Sequence, residues 1–230
     1  QGYTLFVVSW VNPDAHLSRK TFDDYLTEGF YEAVDAVCKA ADTDALNVIG
    51  YCIGGTVTAA GLAHMAAKKD TRVKAATFFT SQVDFTEAGD LSVFIDDEQL
   101  AHIEAQMKAQ GGYLDGGAMA TTFNMLRSND LIWSFVVNNY LMGRDPMAFD
   151  ILYWNSDTTR MPVAMHLQYL RDCYRDNLLA TGKMTLANVK IDLTKVKIPV
   201  FLQSSKEDHI APARSVYKAT RIFKGPVTFM

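Results

Sequence analysis

No stretch of this sequence stays apolar for the roughly 18 residues that a membrane-spanning helix needs. Its opening residues, QGYTLFVVSW, carry neither the basic flank nor the apolar length of a secretory signal. Cysteine is scarce. Cys38, Cys52 and Cys173 are an odd number without paired metal-ligand spacing, which argues against a disulfide framework or a metal site and fits reduced thiols in the cytoplasm. Positive charge is not in excess either: 22 Lys and Arg stand against 26 Asp and Glu, so no nucleic-acid or anionic-membrane partner is expected. Internal repeats and low-complexity tracts are also lacking.

What is there is an ordinary globular composition, 49% hydrophobic and 21% charged over 230 residues. Folded as a unit, such a chain buries roughly 70% of its unfolded surface, enough for one large α/β domain or two small ones. The chain begins with Gln and breaks off in PVTFM, which reads as a strand, so a piece of a longer protein is expected.

Thr4 to Trp10 (TLFVVSW) is a continuous apolar, β-rich run closed by Asn12-Pro13, the pattern of a strand buried on both faces. A helix is expected from Thr21, whose hydroxyl can cap the following amides, through YLTEGFYEAVDAVCKAA. Next come a strand in ALNVIGY, a small-residue helix in TVTAAGLAHMAAKK and a strand in VKAATFFTSQVDF. Alternating strands and helices predict a mostly parallel sheet wrapped by helices. The next comparable strand is IPVFLQSS, more than a hundred residues after Phe85, whereas a simple crossover unit takes about 30. An inserted cap is therefore expected over 86–197, with the core in 1–85 and 198–230. In the cap LSVFIDDEQLAHIEAQMKAQ reads as a helix and GGYLDGGAMA as a mobile loop. The remainder, 121–177, is helical and aromatic, including Trp133, Tyr140, Trp154, Tyr169 and Tyr174.

The chemistry centres on NVIGYCIGGTVTAA. A strand–nucleophile–helix turn needs small neighbours because its backbone brings chains into close approach, and Gly50, Gly54 and Gly55 are placed to allow it. Cys52 at the helix N-terminus is a candidate nucleophile whose thiolate the helix dipole would favour. The Ile53 N–H, next along the chain, is a candidate oxyanion donor. The competing reading is a structural cysteine in a Gly-rich turn. A thiol nucleophile needs a base and an orienting acid. SSKEDHIAP, after a predicted strand, supplies Glu207 and Asp208, with Asp208 closer to the descending loop; the bland alternative is a turn residue. The base is the gap. His209 directly adjoins the acid, His64 is expected on a partly exposed face of the helix after the elbow, His16 and His102 at the surface, and His166 in a packing role.

The combination FVVSWVNPD, NVIGYCIGGT, RSNDLIWSFVVNNYLMG, FDILYWNSD, YLRDCY and SSKEDHIAP closely resembles the polyhydroxyalkanoate synthases, in particular the class I type, from Gln1 to Met230. The resemblance implies an α/β-hydrolase fold with a helical cap, a Cys-His-Asp triad, a homodimer, and a site at the surface of polyester granules. It carries Cys52 and Asp208 onto nucleophile and acid, and implies that the histidine lies just past Met230 and an earlier strand before Gln1. Ser9 and Trp154, in family-like motifs, become candidate pocket residues. The implied reaction polymerises hydroxyacyl-CoA into polyester without a cofactor or metal. A cysteine-dependent ester or thioester hydrolase, or a catalytically inactive partner protein on the same fold, remain the alternatives.

Overall fold

The computed structural model describes residues 2–126, 128–146 and 159–230. Its centre is a four-stranded sheet of β1 (Leu46–Tyr51), β2 (Val73–Phe79), β3 (Val200–Gln203) and β4 (Val227–Phe229), paired in that order and parallel throughout. Parallel neighbours require crossover connections, so the C-terminal ends of all four strands open onto one edge of the sheet. The loops that follow β1, β2 and β3 therefore meet there.

The first helical run begins where the sequence predicts. Thr21 and Asp24 form a reciprocal capping box: the Asp24 carboxylate accepts the Thr21 N–H at 2.7 Å, while the Thr21 hydroxyl accepts the Asp24 N–H at 3.4 Å. The run passes through π-type turns at Tyr25–Tyr31 into α1 (Glu32–Ala41) and stops at Asp42 in the left-handed conformation. Phe22, Leu26, Phe30 and Val34 recur every four residues and are all buried. That spacing places them on one helix face, and each is worth about 1.5–3 kcal/mol in removed apolar surface.

The helix after β1, α2 (Ile53–Lys68), is different. Every residue from Gly55 to Met65 is buried, because the helix is enclosed between the sheet, the Tyr25–Tyr31 turns and the Leu193–Lys195 turn. Only small residues permit such enclosure: a Cβ on Gly61 would lie 2.6 Å from the Phe30 ring. His64 is therefore not the partly exposed residue that its position suggested. It is 5% exposed, and its Nδ1 lies 2.8 Å from the Tyr31 hydroxyl.

Thr4–Trp10 does not form the expected strand. The segment has no regular structure and no strand partner, with Leu5 and Val7 75% and 83% exposed, and it is anchored by Trp10 stacking on Tyr25 at 4.8 Å. A strand buried on both faces needs hydrogen-bonded neighbours. Here β1 is the last strand on that side among the described residues, and Ile49 and Tyr51 on it are exposed.

Between β2 and β3 the chain forms α3 (Asp97–Ala109), α4 (Gly116–Leu126), π-type turns at Asn129–Trp133 and Val136–Leu141, and α5 (Val163–Tyr169), which continues as π-type turns over Leu170–Arg175. The glycine-rich stretch expected as a mobile loop is ordered. Gly111 and Gly112 take positive φ to end α3, Tyr113–Leu114 pairs with Met161–Pro162, and the Asp115 carboxylate accepts the Gly117 N–H at the start of α4. Further along, Leu179, Met184, Leu186, Ile191, Leu193 and Val196 join the same apolar core as the sheet and α2. After β3, α6 (Ala213–Ile222) leads to β4. Among the described residues no helix is long and apolar enough to cross a membrane.

Candidate active site

β1 ends at Tyr51, and Cys52 then takes φ 51° and ψ −126° before α2 begins. A non-glycine residue rarely adopts these angles, and the neighbours enforce them. The Cys52 N–H donates to the Phe79 carbonyl at 3.0 Å, and its own carbonyl accepts the Gly55 N–H at 2.9 Å. The turn is tight because two glycines allow contact. A Cβ on Gly50 would lie 2.5 Å from the Gly55 Cα, and one on Gly55 would overlap Ser81. Gly54 faces open space, so it does not supply clearance as the sequence suggested.

The turn presents Cys52 as an accessible residue. Its thiol nevertheless sits close enough to protein atoms that burial pushes its pKa up from the ordinary value; the Ile53 N–H lowers it and the Asp208 charge raises it further. The helix-dipole expectation of a depressed pKa is therefore not met, because desolvation outweighs the single amide. The Ile53 N–H interacts with the Cys52 sulfur. This shift favours the protonated thiol over the thiolate.

Asp208 lies in the turn after β3, on the same sheet edge. Its Oδ1 accepts the Ile210 and Ala211 N–H groups, both at 2.9 Å, which fixes the carboxylate. Glu207 is exposed, and of the two acids it is Asp208 whose charge acts on Cys52.

A third element closes on this pair. In the helical run from Val163 to Arg175, the Tyr169 and Tyr174 rings meet edge to face at 5.5 Å, and Phe85 packs against both rings at 5.9 and 4.8 Å. A thiolate at Cys52 would act on both tyrosines, and the Asp208 charge acts on Tyr174. Burial raises both phenols above their ordinary range, so each stays a neutral hydrogen-bonding group. Sequence reading placed these residues among the cap aromatics without assigning them to the site. The signal was the spacing in YLRDCY, which puts Tyr169 and Tyr174 five residues apart, one π-type turn, on a shared face.

His64 is bonded to Tyr31, His166 is buried with Nδ1 unpartnered, and His209 has a buried, unpartnered Nε2 while its carbonyl accepts the Asp90 N–H. His16 and His102 are exposed. Ser9 falls in the exposed segment ahead of the first helical run, and Trp154 lies outside the described residues. Among the described residues no group of three His, Cys, Asp or Glu is placed to hold a metal.

The chain is 54% identical over 230 residues to the poly(3-hydroxyalkanoate) polymerase subunit PhaC of Rhizobium meliloti (strain 1021), covering all of the chain and 38% of that protein. It is equally 54% identical to the poly(3-hydroxyalkanoate) polymerase of Methylorubrum extorquens, again with 100% and 38% coverage. The corresponding subunit of Cupriavidus necator is 37% identical over 235 residues, with 100% and 40% coverage. The chain thus spans well under half the length of these relatives. A family model described as the alpha/beta hydrolase fold matches residues 1–229. With a parallel sheet, a strained turn carrying Cys52 after β1 and an acid loop after β3, the chain belongs to the α/β-hydrolase fold family.

Proposed function

We propose that the protein containing this chain polymerises (R)-3-hydroxyacyl-CoA into polyester, with Cys52 carrying the growing acyl group as a thioester. The observation that carries this reading is Cys52 itself, held at φ 51° on the sheet edge with Asp208 and Tyr174 around it, in a chain 54% identical over its whole length to two poly(3-hydroxyalkanoate) polymerases.

The chemistry favours sulfur over oxygen. Attack of the Cys52 sulfur on an acyl-CoA carbonyl forms one thioester and breaks another, releasing CoA thiol, so the acyl group stays activated. In this reading the Ile53 N–H stabilises the oxyanion of that step. The hydroxyl of another 3-hydroxyacyl unit then attacks the Cys52 thioester, forming the ester bond and returning the thiol. Hydrolysis would end the chain. The apolar packing of Phe85 with Tyr169 and Tyr174, within electrostatic reach of Cys52, supports exclusion of water.

The raised pKa of the Cys52 thiol calls for a base. In this reading the base is a histidine beyond residue 230, on a loop that follows β4. Such a loop would open onto the same sheet edge as Cys52 and Asp208, completing a Cys-His-Asp arrangement in which Asp208 orients the imidazole. The exposed Trp133, Phe135, Tyr140 and Leu141 in the inserted segment support a homodimer. The test uses the full-length protein with 3-hydroxybutyryl-CoA. CoA release with insoluble polyester, lost on Cys52→Ala, is expected; release of free hydroxy acid alone would replace this reading by a cysteine hydrolase.

A further inference from the structure

The loop between β2 and the inserted segment, residues 80–86, makes contacts that the chemistry above does not use. The Thr56 hydroxyl, in the first turns of the helix that Cys52 caps, donates to the Gln82 carbonyl at 2.8 Å. The Gln82 side-chain amide donates through Nε2 to the Ser215 hydroxyl at 3.0 Å, and that hydroxyl donates to the Asp84 carbonyl at 2.7 Å. The Asp84 carboxylate accepts the Asn177 amide at 3.1 Å, and the Asn177 oxygen accepts the Phe85 N–H at 3.0 Å.

These bonds form one chain across three elements that border the site. Thr56 belongs to the nucleophile helix. Ser215 sits in the first turn of α6, seven residues beyond Asp208, where its N–H also bonds the Pro212 carbonyl. Asn177 follows the helical run bearing Tyr169 and Tyr174 and takes a positive φ of 49°. Thr56, Gln82 and Ser215 are 1%, 5% and 0% exposed. A polar chain in a dry interior is retained only when its members are satisfied, and a satisfied one has a single geometry. Ser215 meets this condition with one hydroxyl, which accepts from Gln82 and donates to Asp84.

We propose that Gln82 is a positioning residue for the Cys52 site: its carbonyl fixes the nucleophile helix through Thr56, and its side-chain amide fixes the base of the acid loop through Ser215, so it sets the separation of Cys52 and Asp208. The inference rests on the reading of Cys52 as nucleophile. It does not depend on which acyl acceptor follows. The Asp208 charge acts on the thiol, so a change in that separation changes the thiol's titration. Displacements well under 1 Å at a reacting pair lower rates by about tenfold or more, since a 1 Å error costs on the order of a hundredfold.

The test uses the full-length protein and four variants: Gln82→Met, Ser215→Ala, Thr56→Val, and Thr56→Ser as the hydroxyl-retaining control. Two quantities are read, iodoacetamide alkylation of Cys52 against pH and the kinetics of CoA release, with Tm recorded for each. Gln82→Met, Ser215→Ala and Thr56→Val are expected to displace the alkylation pH midpoint and lower kcat about tenfold with KM within about twofold. Thr56→Ser is expected to behave as the parent. Alkylation profiles that superimpose on the parent's, with kcat falling only in step with Tm, would overturn the proposal. Alkylation needs no acyl-CoA, so a shifted profile in a protein that releases no CoA would remove the polymerase reading while leaving the positioning role intact.

Discussion

The strained backbone at Cys52 makes a prediction that separates conformation from chemistry. At φ 51° and ψ −126° the residue lies outside the small left-handed well and in territory that glycine occupies freely. Holding a side chain there costs about 1–3 kcal/mol. Cys52→Ala removes the sulfur but keeps the Cβ and its strain. Cys52→Gly removes both, at an entropic cost in the unfolded chain of about 0.5–1 kcal/mol. The glycine variant is therefore expected to be more stable than the alanine variant by about 0.5–2 kcal/mol. At roughly 2–4 °C per kcal/mol for a domain of this size, that is a Tm higher by about 1–8 °C. Differential scanning calorimetry of the two full-length variants, both expected to be inactive, reads the difference directly. A glycine variant equal to or less stable than alanine would show that the turn is not strained, and that the Phe79 and Gly55 bonds do not force the conformation.

Two further outcomes follow from the site's surroundings. Burial holds the His166 imidazole at about 4, below the roughly 6.5 of an exposed histidine, so the unfolded chain takes up its proton first. Stability from this group is full above pH 6.5 and falls as pH drops towards 4, by about 3 kcal/mol at 1.36 kcal/mol per unit; urea midpoints of His166→Leu should lose that part of the parent's slope between pH 6.5 and 4, and an unchanged slope would contradict it. Tyr174→Phe removes a hydroxyl within electrostatic reach of Cys52 and Asp208 but keeps the ring against Phe85 at 4.8 Å. CoA release is expected to fall about three- to tenfold, the worth of one hydrogen bond, with Tm nearly unchanged, and undiminished release would place the hydroxyl outside the reaction.

Much of this was legible in the residues. The i, i+4 stripe of Phe22, Leu26, Phe30 and Val34, the Thr21 capping box, and the β-branched runs at β1, β2 and β3 are local patterns with local causes, and they formed as read. The elbow was legible because Gly50 and Gly55 flank Cys52 at the spacing of a close approach. Thr4–Trp10 misled for the converse reason: an apolar run states a preference, and only hydrogen-bonded neighbours turn it into a strand.

By itself, then, the sequence marked Cys52 as the nucleophile candidate and Glu207 and Asp208 as candidate acids, because each depends on spacing along the chain, while the family resemblance pointed to the hydrolase fold and to Asp208. Tertiary structure alone decided the environment of those groups. The Cys52 thiol is raised rather than lowered because packing desolvates it more than one helix amide can compensate. His64 is buried because helices and turns far apart in sequence enclose α2. Tyr174 joins the site across more than a hundred residues of chain, and the Thr56–Gln82–Ser215 bonds tie segments up to 159 residues apart. Long-range contacts of this kind leave no periodic trace, since any polar residue at the right place in space satisfies them, whatever its place along the chain.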